Sequence, residues 1–276
     1  MKAATFDYIV ATTVAEAAAA LAEPERSASL IAGGQSLLPL LNLRVAQPDL
    51  LIDISRIAEL KDTHAAANAI HIGALTTHAD IEDGKIPDPF GGLLRKVASG
   101  ISYRAIRNYG TIGGSVALAD PAADWPVCLI ALGAEVKVGG GKAARAQPIG
   151  DFIEGQYATA LGKDEIILGF DIPRLAGRLR WGLHKVVRKS GAFADSMAMA
   201  VEHADGTIAV ALGGAVARPF LLTALGERLR AGQATEDELR AAIAQDLKIG
   251  APQADSYLMR LHTATALRAL AQMRGR

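Results

Sequence analysis

The rhythm of apolar and polar positions predicts short strands interleaved with helices, then a run of strands and two closing helices. FDYIVATTVAEAAAALAE reads as a strand followed by a helix. Thr13 and Glu16 fit the S/T-x-x-E capping box, which satisfies two free amides at a helix start. SLIAGG reads as a buried strand ending in glycine, and LIDIS, Leu51 to Ser55, as another. AIHIGALTTHADIED gives a strand, a turn at Gly73 and a helix from Thr76 or Thr77. GGLLRKVASGI is a helix stopped by Gly100, and WPVCLIALGAEVKVGG is a helix and a strand parted near Gly133. DEIILGFDIP is a strand halted by Pro173.

Beyond Pro173 the pattern changes. LRWGLHKVVRKSGAFADSMAMAVEHADGTIAVALGGAV reads as successive antiparallel strands, with ADGT at Ala204 to Thr207 as a hairpin turn whose Asp-Gly pair supplies positive φ. TEDELRAAIAQDL opens with a second capping box, Thr235 to Glu238, and SYLMRLHTATALRALAQMRG closes the chain as a helix. A boundary near Ala176 follows, with an α+β unit after it.

Composition narrows the classes. At 276 residues the chain can form two or three packed units, and 50% hydrophobic content makes it globular. Aromatics are only 5%, so the core is aliphatic. The 28 glycines exceed the usual share of about 7%, which points to turns and close backbone approaches. Charge balances at 29 against 29, so the basic surplus of a phosphate-backbone binder is missing and nucleic acid is excluded. A net charge near zero favours association, as in a subunit. Cys128 is the single cysteine, so neither an internal disulfide nor a four-thiolate iron–sulfur cluster can form. Asp7 interrupts the N-terminal apolar stretch and no apolar run reaches ~18 residues, so the reading is cytoplasmic with no membrane span. His64, His71, His78, His184 and His203 do not form zinc-ligand spacings, and His262 sits alone on the last helix.

Two stretches carry the chemistry: IAGGQSLLP at Ile31 to Pro39, and TIGGSVALADPAADWP at Thr111 to Pro126. Glycine lets backbone approach a ligand closely, and successive amides in such a turn can bind an anion. Gln35 and Ser36 follow the first pair and Ser115 the second. Neither loop has a lysine, and neither GxGxxG nor GxxxxGK[ST] occurs beside them. Two anionic centres on two loops suit a diphosphate-bearing cofactor in an unusual cradle. The plainer alternative is that Gly33 and Gly34 only end a strand.

The same residues carry a resemblance. AGGQSLLPLLNLRVAQPDLLIDIS, RNYGTIGGSVALADPAADWPVCLIALGAEV, IGDFIEGQYATALGKDEIILGFDIP and KVVRKSGAFADSMAMAV resemble the FAD-binding medium subunits of the molybdenum hydroxylases, the carbon monoxide dehydrogenase and xanthine dehydrogenase family, nearly end to end. The resemblance implies an α+β fold: a two-subdomain FAD-binding domain of the vanillyl-alcohol-oxidase (PCMH) type, residues 1–57 and 58–175, and a C-terminal α+β domain with an antiparallel sheet, residues 176–276. It assigns Ala32, Gly33, Gly34, Gln35, Ser36 and Leu37, then Thr111, Gly113, Gly114 and Ser115, to the FAD diphosphate, and Ile31 to the cofactor site. Asp124 matches a carboxylate on the adenosine ribose, and Lys185 a lysine near the flavin ring. Ile101, Ser102 and Tyr103 match a segment beside the cofactor, and Leu168 completes the set. No catalytic residue and no metal ligand falls on this chain.

The partners implied are a large subunit carrying a molybdopterin cofactor and a small subunit carrying two [2Fe-2S] clusters, in a dimer of heterotrimers. Such an oxidoreductase passes electrons from the clusters through FAD to an external acceptor while it hydroxylates a substrate, an N-heteroaromatic by family weight. Without a nicotinamide fingerprint, quinone, cytochrome, oxygen and NAD all stay open as acceptors. This sequence departs from many relatives in having Ser115 where they have Asn, and GAFA at Gly191 to Ala194 where they read GDFA. A stand-alone flavin oxidoreductase of the same fold and a flavin-free scaffold subunit remain as alternatives.

Overall fold

The computed structural model describes residues 2–141, 143–174 and 179–275, and the expected boundary at 175 and 176 lies outside them. Among the described residues the chain builds three sheets of three or more strands in succession, with a two-stranded ribbon at 153–159 beside the second. The first unit holds β1 (Asp7–Val10), α1 (Val14–Leu21), β2 (Ala28–Ile31), α2 (Leu37–Asn42) and β3 (Leu50–Asp53). β3 is central and parallel to both neighbours, Leu50 pairing with Asp7 on one side and Ala28 on the other. A central parallel strand is covered on both faces, and Leu50, Leu51 and Ile52 are all buried. Ala17, Ala18 and Ala20 of α1 enter the same core, and both halves of the Thr13–Glu16 capping box form.

A 3-10 turn at Ala58–Lys61 opens the second unit. Its elements are β4 (Thr63–Ala65), β5 (Ala69–Gly73), α3 (His78–Glu82), α4 (Leu93–Ser99), α5 (Arg104–Arg107), α6 (Ile112–Leu118), α7 (Asp124–Ala131), β6 (Glu135–Gly140), β7 (Arg145–Pro148), α8 (Ile149–Phe152), β8 (Ile153–Gly155), β9 (Ala158–Thr159) and β10 (Glu165–Pro173). The main sheet is antiparallel in the order β4-β5-β10-β6-β7. Phe90, Trp125, Phe152 and Phe170 fill its core, and every residue of α7 is buried, which is why that helix shows no polar face in the sequence. Leu75 and Ile166 belong to the core of the first unit, so the two units share an apolar seam.

The third unit holds β11 (Trp181–Val186), β12 (Ser196–Glu202), β13 (Ile208–Gly214), β14 (Phe220–Leu221), α9 (Thr223–Arg230), α10 (Glu236–Gly250) and α11 (Ser256–Arg274), with the strands antiparallel in that order. β12 alternates between two cores. Met197, Met199 and Val201 join the core of the second unit, while Ala198 and Ala200 pack with Val210 and Leu212 among residues of α10 and α11. Gly182 lets α11 lie directly on β11, for a Cβ there would sit 2.0 Å from Ala269 O. His262 on α11 is buried and its Nδ1 lies 2.8 Å from Ser196 Oγ. In the hairpin turn expected at Ala204 to Thr207 only Gly206 is left-handed (φ +80°), because the Asp205 carboxylate accepts from Thr207 N and Oγ1 and closes the turn itself. No helix among the described residues is long and apolar enough to cross a membrane.

Candidate functional site

A cavity of about 590 Å³ opens where the three units meet, and its wall draws residues from all of them. Its centre is built from the two glycine turns. In the first, β2 ends at Ile31 and the chain turns through Gly34, whose φ of +70° a side-chain-bearing residue would resist. Gln35 Nε2 donates to Gly33 O at 3.0 Å and ties the turn to itself. The main-chain amides of Gly33, Gly34, Gln35, Ser36 and Leu37 donate to no described residue. Five successive N–H groups therefore remain for a ligand in the cavity, a concentration of donors suited to an anion.

Gly33 explains why the turns meet. A Cβ on it would lie 1.8 Å from Tyr109 O and 3.0 Å from Gly110 N, so the first turn rests directly on the backbone entering the second. The second turn is not a loop but the first turn of α6, N-capped by Thr111, whose hydroxyl accepts from Gly114 N at 3.1 Å. Its amides are already used: Ile112 N donates to Thr76 O (3.1 Å), Gly113 N to Ala74 O (2.9 Å) and Ser115 N to Thr111 O (3.0 Å). The expected second amide cradle is therefore corrected. This turn offers a side-chain-free backbone surface at Gly114 and the Ser115 hydroxyl. Gly113 serves packing, since its Cβ would meet Ala74 at 2.6 Å, while a Cβ on Gly114 would meet only Thr111 Oγ1, at 3.0 Å.

Beside the turns, Lys185 Nζ donates to both carboxylate oxygens of Asp124 at 2.9 Å and to Gly100 O at 3.4 Å. Asp124 is buried and the Lys185 side chain is 15% exposed, so this lysine is no solvated strand residue. Burial pushes the Asp124 carboxyl above its ordinary pKa, and the Lys185 ammonium opposes that. The resemblance places Asp124 at the adenosine ribose and Lys185 at the flavin ring. The structure brings these two residues, 61 positions apart in sequence, into direct contact.

Of the residues singled out in the sequence, Ile31, Ala32, Gly33, Gly34, Gln35, Ser36, Leu37, Ile101, Ser102, Thr111, Gly113, Gly114, Ser115, Asp124 and Lys185 line the cavity. Tyr103 and Leu168 do not. Tyr103 is 58% exposed and donates its hydroxyl to Ser190 O at 3.4 Å. Leu168 falls at a β-bulge between Ile167 and Gly169, which turns its side chain toward Gly139 and the first-unit core.

Sequence reasoning passed over Leu161, Phe193 and His78, which also line the cavity. Phe193 stands in the GAFA stretch and Leu161 in a Leu-Gly-Lys turn. His78 follows the capping Thr77 and its ring lies 2.9 Å from where a Cβ on Gly110 would be. Its Nδ1 accepts from Trp125 Nε1 at 3.0 Å, which leaves the ring proton on Nε2. Burial, helped by the charge of Arg107, lowers the imidazole to about 4. A donor-rich turn, apolar walls that include Leu21, Leu30, Leu40 and Ile54, and a volume within the range of about 300–1,000 Å³ common to ligand sites fit a large phosphorylated cofactor.

Residues 4–175 match the family described as the FAD binding domain in molybdopterin dehydrogenase. The chain belongs to that family. It is 40% identical over 175 residues to the 6-hydroxypseudooxynicotine dehydrogenase complex subunit alpha of Paenarthrobacter nicotinovorans, a match that covers 63% of this chain and 59% of that one. It is 36% identical over 219 residues to the glyceraldehyde dehydrogenase medium chain of Sulfolobus acidocaldarius, covering 78% and 77%. Among solved structures, carbon monoxide dehydrogenase from Hydrogenophaga pseudoflava lacking the Mo-pyranopterin moiety superposes with a TM-score of 0.93 at 31% identity, covering 100% of this chain and 99% of that one. The chain is thus an FAD-binding medium subunit of the molybdenum hydroxylase type, an oxidoreductase component, and the α+β fold expected from the resemblance is the one found.

Proposed function

We propose that this chain is the FAD-carrying electron-transfer subunit of a heterotrimeric molybdenum hydroxylase. Its partners are a large subunit with a molybdopterin cofactor and a small subunit with two [2Fe-2S] clusters, paired as a dimer of heterotrimers, and the substrate hydroxylated on the large subunit is an N-heteroaromatic. The observation that carries the reading is the run of five amides from Gly33 to Leu37 without a protein acceptor, set in the cavity wall beside Gly114 and Ser115. When bound, FAD supplies the capacity to exchange one or two electrons.

The chain's own residues bind and orient. The Gly33–Leu37 amides hold the diphosphate. Gly114 leaves room for it, and Ser115 adds one hydroxyl. Lys185, held by Asp124 and Gly100 O, places its ammonium in the cavity wall, where the ordered Lys–Asp dipole faces an acceptor oxygen of the cofactor. Ile101 and Ser102 form the wall beside that ammonium. Size-exclusion chromatography from the native host tests the assembly: the chain co-elutes with one larger and one smaller partner. A peak at the mass of this chain alone, with turnover of its own, would favour the stand-alone oxidoreductase.

A further inference from the structure

Three consecutive carbonyls in the segment beside Lys185 all face cations. Gly100 O accepts from Lys185 Nζ at 3.4 Å, and Ile101 O and Ser102 O both accept from Arg107 Nη1, at 2.9 and 3.0 Å. The guanidinium is held from behind, for its Nε and Nη2 each donate to a carboxylate oxygen of Glu82 at 2.8 Å. Arg104 reaches the same Glu82 at 2.9 Å and braces it through the neighbouring Asp83. Arg107 is 11% exposed and does not itself line the cavity, whereas Ile101 and Ser102 do.

Ser102 adopts φ +43°, a left-handed conformation that a residue with a side chain resists. Every peptide bond described is trans, so the N–H of Ser102 points away from the carbonyl of Ile101, and the N–H of Tyr103 away from that of Ser102. With both carbonyls on Arg107, both N–H groups face away from it. Neither they nor the Ser102 hydroxyl bond any described residue.

We infer that Arg107, fixed by Glu82, is a positioning residue of the cofactor site: it holds Ser102 in its left-handed bend, so that the Ser102 amide and hydroxyl present a donor set to an acceptor oxygen of the bound cofactor. The inference rests on the flavin reading above. Arginine suits the task because its planar fork grips a carboxylate and two carbonyls at once, which a lysine ammonium cannot reproduce.

The test is a cycle on the full chain, read by the FAD dissociation constant, the visible flavin spectrum at saturating FAD, and the melting temperature. Arg107→Lys weakens FAD binding about 10-fold and shifts the flavin bands. In a Ser102→Gly background the same substitution costs less than about 3-fold, because glycine takes the bend without the clamp. Glu82→Gln loosens the clamp while keeping the arginine, weakens binding about 3-fold, and is likewise relieved by Ser102→Gly. Should Arg107→Lys fail to fold, Glu82→Gln carries the comparison. Equal losses in the wild-type and Ser102→Gly backgrounds, or wild-type affinity and spectrum in both clamp variants, would overturn the inference. A wild-type chain that binds no FAD would overturn the flavin reading itself, and this inference with it.

Discussion

The contact between the two glycine turns makes opposite predictions for two glycines that look alike in sequence. A methyl group at position 33 would sit 1.8 Å from Tyr109 O and 2.5 Å from Tyr109 C. Relief to a comfortable separation of about 3.5 Å requires the two backbones to part by about 1.7 Å. No flexible side chain can absorb that movement, so Gly33→Ala should cost about 3 kcal/mol, the upper end of overpacking penalties. For a chain of this size that is a fall in melting temperature of about 6–10 °C. The displaced amides should also weaken FAD binding by about 100-fold, since several hydrogen bonds to one ligand lose their geometry together. Gly114 is helical and open on its cavity side, so alanine there gains about 1 kcal/mol in helix propensity. The 3.0 Å contact with Thr111 Oγ1 takes back part of that gain. Gly114→Ala should therefore melt within about 2 °C of wild type yet bind FAD about 10-fold more weakly, because its methyl enters the cavity. Differential scanning calorimetry and fluorescence titration with FAD read both quantities. A Gly33→Ala chain with wild-type stability, or a Gly114→Ala chain with wild-type affinity, would refute the reasoning.

Two further outcomes follow from the site. His78 is lowered to about 4 in the fold against about 6.5 unfolded, so the unfolded chain binds the extra proton first. The stability of neutral His78 is full above pH 6.5 and drains as pH falls toward 4, amounting to about 3 kcal/mol; thermal melts of His78→Gln across that window should show a shallower acid slope than wild type, and an unchanged slope would count against the assignment. Lys185→Met leaves the Asp124 carboxylate buried without a counter-charge and should cost about 3–5 kcal/mol, most of it recovered when Asp124→Leu is added. Urea denaturation of the single and double variants reads this, and equal instability of the two would show that the pair is not coupled.

What the sequence revealed and what it hid divide by range. Both capping boxes were legible because Thr13 and Glu16, and Thr235 and Glu238, lie three residues apart and settle their geometry locally. Strand and helix positions followed from periodicity for the same reason. The second glycine turn misled because its amides are taken by Ala74 and Thr76, some forty residues upstream, which pull Thr111 to Ser115 into a helix. Gly114 is accordingly absent from the positive-φ glycines and lies in the helix. The ion pair of Asp124 with Lys185 spans 61 positions and joins two units. Arg107 is bound to Glu82 across 25, and nothing local in AIRNYG announces a clamp on the preceding bend. The bulge that removes Leu168 from the cavity depends on the register between β10 and β6, which no single-strand pattern encodes.

The central claim is that amides of the first glycine turn hold one FAD in this chain. Denaturing the purified protein and quantifying the released nucleotide by chromatography and mass spectrometry measures it directly. The account predicts one FAD per chain, lost selectively in the Gly33→Ala variant. A folded wild-type chain that releases no FAD, and takes up none when it is supplied, would contradict it.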